Sequence, residues 1–197
     1  AQGIITDALL GITAALGAYL VLYVINPDLT KINLDFTSVT VQEAEDAEVS
    51  GLMSGKMSTR DGKRLDESFV IALDKIKASG TNAVVTSGLR SVEEQKAQII
   101  ANCGGFPPTR ACYPSTCLLK NGPTSCPHTT GRAADIWALN SSGTQAISRD
   151  QCLRNLSACF NNPYQKALIA GMKAEGFCVL SIEPWHFEKP KMSSTCN

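Results

Sequence analysis

His128-Thr-Thr-Gly-Arg-Ala-Ala-Asp135-Ile-Trp-Ala-Leu139 is the stretch on which the reading of the fold turns. Its second part, residues 132–139 (RAADIWAL), reads as a strand, and it places a carboxylate a short way after a histidine. Upstream, residues 103–127 form a Cys/Pro/Gly-rich loop that needs disulfides for its shape. Residues 83–86 (AVVT) and 177–182 (FCVLSI) read as two more buried strands. Helices fall between them. Asp66 can cap a helix with Phe69, Leu73 and Ile76 at helical spacing and Gly80 at its end. Ser91 and Glu94 make a capping box for a helix running through Ile100. Pro163 opens a third helix, with Leu168, Ile169 and Met172 inward and Gly176 closing it. This order predicts an α+β domain with a small sheet over residues 65–197.

The chain has two histidines, His128 and His186, the second in Glu183-Pro-Trp-His186. A catalytic zinc site takes three protein ligands and leaves one position open. His128, Asp135 and His186 would complete such a set, with Glu183 beside it as a base. Spacing alone does not select this reading, since an isolated histidine is more often a satisfied core or surface residue. Residues i and i+3 of a straight strand also face opposite sides, so Glu183 and His186 share a site only if the chain bends. Pro184 is a plausible place for that bend.

Three separated blocks resemble the D-alanyl-D-alanine carboxypeptidase (VanY-like) family of zinc peptidases. Ser87-Gly88-Leu89-Arg90-Ser91-Val-Glu-Glu-Gln95 resembles its S-G-Y-R-S-x-x-x-Q block. Cys126-Pro-His128-Thr-Thr-Gly131-Arg-Ala133-Ala-Asp135 resembles its S-x-H-x-x-G-x-A-x-D block, and Glu183-Pro-Trp-His186 its E-x-x-H block. The blocks stand in the family's order. The resemblance implies a small antiparallel sheet flanked by helices, Zn2+ on His128, Asp135 and His186, and Glu183 as catalytic base. It implies that Arg90 binds the substrate carbonyl or developing oxyanion, with Gln95 supporting the site from its helix. Two positions depart from the pattern: Leu89 replaces a tyrosine, and Cys126 replaces a serine close to substrate. Trp185 and Trp137 are candidates to line the pocket, with core packing the stronger expectation for Trp137.

Composition narrows the setting. Eighteen basic and 18 acidic residues cancel, which argues against a nucleic-acid footprint. Eight cysteines, all in the second half and none in a C-x-x-C pair, point to disulfides and an extracytoplasmic, oxidising location. They admit on the order of a hundred full pairings, among which spacing does not choose.

The first 27 residues differ in kind. Residues 8–25 (ALLGITAALGAYLVLYVI) carry no charge and, as a helix, would span roughly 27 Å, close to a hydrocarbon core. The start at Ala1 rather than methionine predicts processing upstream. Small residues four apart, Gly11/Ala15 and Ala14/Ala18, favour close helix approach. The expectation is one long apolar helix over 1–27 (its core 4–26), lying in a membrane or packed against copies of itself as a homo-oligomer or filament. A connector over 28–64 follows, with a possible strand at 32–41, and then the peptidase domain over 65–197. Two functions follow: a zinc hydrolase acting on cell-wall peptides, or a pilus-like surface-filament subunit displaying such a domain.

Overall fold

The structure is a computed structural model and describes residues 55–197. The expected apolar helix and the strand at 32–41 lie outside these residues. Among the described residues no helix is long and apolar enough to cross a membrane.

The order of elements is β1 (Met57–Arg60), β2 (Lys63–Asp66), α1 (Glu67–Ala78), β3 (Ala83–Ser87), α2 (Val92–Cys103), β4 (Ala133–Ala138), α3 (Arg149–Arg154), α4 (Leu156–Asn161), α5 (Pro163–Ala174), β5 (Cys178–Leu180) and β6 (Glu183–Glu188). The main sheet has four antiparallel strands in the order β3-β4-β6-β5. This is the α+β arrangement expected, with its sheet antiparallel.

Alternation along the strands assigns the two faces. Val85, Ala134, Ile136, Val179 and Phe187 join Phe69, Leu73 and Ile76 of α1 and Leu168, Ile169 and Met172 of α5 in one apolar cluster. Each of these side chains larger than alanine, when fully buried, contributes about 1.5–3 kcal/mol of transfer free energy. The other face carries Asp135, Trp137, His186 and Glu188, and it is there that polar chemistry collects.

The helix signals read from sequence act as expected. Asp66 accepts from the Ser68 N–H, Ser91 and Glu94 form the reciprocal box, and Pro163 sits in the first turn of α5. The short helices α3 and α4 were not foreseen. They are capped by Ser148 and Asn155 and are bridged by Cys152–Cys159. The cysteines pair strictly with their neighbours along the chain: Cys103–Cys112, Cys117–Cys126, Cys152–Cys159 and Cys178–Cys196.

The β1–β2 hairpin lies in residues read from sequence as the end of a connector. Asp61 (φ 51°) and Gly62 (φ 72°) both take positive φ in a two-residue loop, the conformation Asp-Gly favours. That dipeptide was the available signal. The hairpin also works on the main sheet, because Asp61 Oδ2 accepts from the Val85 N–H of edge strand β3 at 2.8 Å. At the opposite edge Val179 of β5 exchanges backbone hydrogen bonds with Asn197 (2.9 and 3.0 Å), and Cys178–Cys196 fastens that segment.

Gly88 lies where β2 meets the end of β3. A Cβ there would stand 2.1 Å from the Arg64 carbonyl oxygen, which already accepts from the Leu89 N–H at 2.6 Å. Gly88→Ala should therefore cost about 2 kcal/mol or more by forced overpacking. Urea denaturation of the oxidised protein measures this, and an unchanged midpoint would mean that the hairpin yields without strain.

Candidate metal centre and cleft

Register places the central pair. Asp135 on β4 stands directly opposite His186 on β6, and Ser87 of β3 stands opposite Asp135 on its other side. Ser87 reaches that position through a register shift after Val85. His128 comes from a one-turn 3-10 helix, His128–Thr130, ended by Gly131 at φ 69°. That turn is clasped to the loop after β3: the Arg90 N–H donates to the His128 carbonyl at 3.0 Å, and His128 Nδ1 lies 2.7 Å from the Gly88 carbonyl oxygen.

Three donor atoms converge. His128 Nε2 and His186 Nδ1 are 3.2 Å apart, His186 Nδ1 and Asp135 Oδ1 3.0 Å, and His128 Nε2 and Asp135 Oδ1 3.4 Å. A tetrahedral ion with ligands at about 2.1 Å requires donors about 3.4 Å apart. The triangle is thus close to the size that zinc needs.

The outer hydrogen bonds sharpen this fit. The Gly88 carbonyl can only accept, so His128 Nδ1 carries the proton and Nε2 a lone pair. His186 Nε2 lies 3.1 Å from the carboxylate of Glu188, which likewise turns the Nδ1 lone pair inward. Two nitrogen lone pairs and a carboxylate oxygen then face one another. Such a cluster needs a cation at its centre, either a proton or a metal ion. The His-Asp-His group fits a Zn2+ site.

The electrostatics agree. Burial opposes charge on Asp135, yet both histidines hold its carboxyl well below the usual range. Burial also opposes charge on His186, but hydrogen bonds to Asp135 and Glu188 push it up to about 9. Burial pushes His128 down, helped by the charges of Arg90 and His186. Glu188 is fully buried; hydrogen bonds from His186, Ser193 and Met192 outweigh that burial and bring it down to about 2.

Arg90 does not stand free over the cleft. Its guanidinium donates to Asp135 Oδ2 at 2.9 Å, to Ser87 Oγ at 3.0 Å and to Gln95 Oε1 at 3.3 Å. It therefore holds the outer oxygen of Asp135 while Oδ1 faces the histidines. Gln95 is buried on α2, and its Nε2 donates to the Cys117 carbonyl at 2.8 Å. The Cys117–Cys126 bridge thus joins Gln95 to the segment two residues before His128.

These residues line an open cleft of about 860 Å³, together with Glu183, Cys126, Trp137 and Trp185. The two indoles stack at a centroid distance of 4.8 Å, with Cys152 and Cys159 packed against them. Both tryptophans are nearly fully buried, so each serves packing as well as the wall. Glu183 shares the cleft with His186: the β4–β6 ladder stops at the Asp135–His186 pair, and on the other side β6 shifts register against β5 between Val179, opposite Phe187, and Leu180, opposite Glu183. Burial, and then the charge of Asp135, push Glu183 up to about 7.

Two contributors escaped the sequence reading. Glu188 follows His186 by two residues and so shares its face, a signal that was available. The Gly88 carbonyl is a backbone group, and side-chain identity gave no sign of it.

No family model matches the chain. No curated protein matches it. It is similar to several solved structures, of which three are described. A zinc-bound mutant of the vancomycin-resistance D,D-pentapeptidase VanY from a VanB-type cassette has 20% identity and a TM-score of 0.38, over 71% of this chain and 80% of that one. The LD-carboxypeptidase LdcB has 18% identity and a TM-score of 0.44, over 73% and 66%. VanYB in complex with D-alanine-D-alanine has 18% identity and a TM-score of 0.38, over 71% and 79%. At these values the likeness carries no functional argument, which rests on the residues themselves.

Glu188→Gln should lower Zn2+ affinity by about 10–100-fold, because it removes the anion behind His186. Competition with a chelator at fixed pH reads this directly, and unchanged affinity would remove Glu188 from the site. Its carboxyl, at about 2 against 4.5 when free, stabilises the fold above pH 4.5 and loses that contribution as pH falls through 2. The variant should accordingly lose less stability than the parent on acidification.

Proposed function

We propose that the chain is a zinc-dependent peptidase of the D-alanyl-D-alanine carboxypeptidase kind, acting on peptidoglycan stem peptides outside the cytoplasm. The observation that carries this is the triangle of His128 Nε2, Asp135 Oδ1 and His186 Nδ1 in one cleft with a buried carboxylate, Glu183. The three sequence blocks supply the substrate class.

When bound, zinc supplies Lewis acidity, polarising a carbonyl and acidifying water. Glu183 is the general base: it takes a proton from attacking water and passes it to the leaving amine. Its carboxyl, raised to about 7 by burial and Asp135, is poised for both steps. Arg90 fixes Asp135 and, with the N–H groups not committed to Asp135, Ser87 or Gln95, can bind the substrate carbonyl. Gln95 keeps Arg90 in place. Trp185 and the Cys117–Cys126 bridge shape the walls.

The uncharged residues 8–25 support a further assignment. They would hold the peptidase domain at a membrane or against copies of the chain, with the residues before β1 as tether.

The purified protein should hold about one zinc, lost in His186→Ala. Glu183→Gln should keep the zinc and lose about 10²–10⁴-fold in kcat on a peptide ending in D-alanyl-D-alanine. Retained hydrolysis by that variant would overturn the assignment of Glu183. In the parent, kcat/KM should fall as the base becomes protonated, on an acid limb at or below about 7, since the charge of the metal draws Glu183 downward. A profile that shows no acid limb down to the pH at which zinc is lost would remove Glu183 as the titrating base.

A further inference from the structure

Continuing the β4–β6 register beyond Asp135–His186 would place Ile136 opposite Trp185, Trp137 opposite Pro184 and Ala138 opposite Glu183. None of these pairs forms. In a regular ladder Glu183 and Trp185 would share the face of Phe187, which points into the apolar cluster under α1 and α5. A carboxylate there would be buried without partners. Instead Glu183 lines the cleft, and Trp185 stacks on Trp137 of the opposite face.

One side chain occupies the gap where the two strands part. Gln165, in the first turn of α5, is completely buried. Its Oε1 accepts from the Ala138 N–H at 2.9 Å. Its Nε2 donates to the Pro184 carbonyl at 2.9 Å and to the Ile136 carbonyl at 3.5 Å. The carboxamide thus takes up the Ala138 N–H and the Ile136 carbonyl, two β4 groups that a continued ladder would pair with β6.

We propose that Gln165 is a positioning residue: a splint that keeps β4 and β6 apart beyond the metal-binding pair and so turns Glu183 and Trp185 from the core face to the cleft. It is neither one of the three donors nor one of the residues that line the cleft. Zinc binding depends on register up to His186, and placement of the base depends on the splint beyond it. The consequence for catalysis rests on the peptidase reading; the placement of residues 183–185 does not.

Gln165→Met keeps the length of the side chain and removes all three hydrogen bonds. Gln165→Glu keeps the acceptor for Ala138 and loses both donors, and it serves if the methionine variant does not fold. Three quantities are measured on the full chain: zinc affinity, kcat and KM on a D-alanyl-D-alanine peptide, and the far-UV circular-dichroism couplet of the stacked Trp137–Trp185 pair. Zinc affinity within about threefold of the parent, kcat at least tenfold lower at similar KM, and a lost or inverted couplet are the expected results. A retained couplet with unchanged kcat and only a lower Tm would overturn the proposal, leaving Gln165 a packing residue. Joint loss of zinc and couplet would overturn it too, by showing that the split does not separate from the metal-binding register. If the parent hydrolyses no peptide, the peptidase reading fails, and the couplet and zinc affinity still decide the role of Gln165.

Discussion

Everything at the centre of this molecule depends on where one antiparallel ladder runs and where it stops. Asp135 and His186 are opposed in register, which fixes a carboxylate beside an imidazole without any loop having to find its place. Rigid strands set such distances better than loops do. The apolar cluster under α1 and α5 holds the register, because a slip of one residue would send Asp135 and His186 into it. The energy that places the site is therefore hydrophobic, although the site itself is polar.

A second layer fixes orientation. Gly88 and Glu188 set which nitrogen of each histidine carries its proton, and Arg90 sets which oxygen of Asp135 turns inward. None of these three needs to touch an ion to determine what the cluster binds. Three electron-rich atoms directed at one point make a strong field, and it is imposed from behind.

Much of this was legible in the sequence, for identifiable reasons. Asp66, the Ser91/Glu94 pair and Pro163 announce their helices because capping is local chemistry. Residues of three separated blocks, Arg90, His128, Asp135, Glu183 and His186, meet in one cleft, which spacing alone did not dictate. Arg90 is the instructive case: its presence was expected, while its commitment to Asp135 required coordinates, since charge pairing across 45 residues leaves no trace in periodicity. Glu183 was readable only conditionally, as a residue that needed a bend. The β1–β2 hairpin was missed because four-residue polar strands lack an apolar pattern, although Asp61-Gly62 marked the turn. The pairing of the cysteines was beyond reach, because nothing in spacing favours neighbours over distant partners.

Both outer strands of the main sheet are partly covered. Asp61 takes a donor on β3, and the segment at Asn197, stapled by Cys178–Cys196, takes the outer side of β5. An extended peptide often binds by adding itself to a free sheet edge, where backbone contacts accept almost any sequence. That route is blunted here on both sides. If the cleft takes a peptide, as proposed, discrimination falls more to the side chains standing on the face of the sheet than to main-chain pairing at its edges.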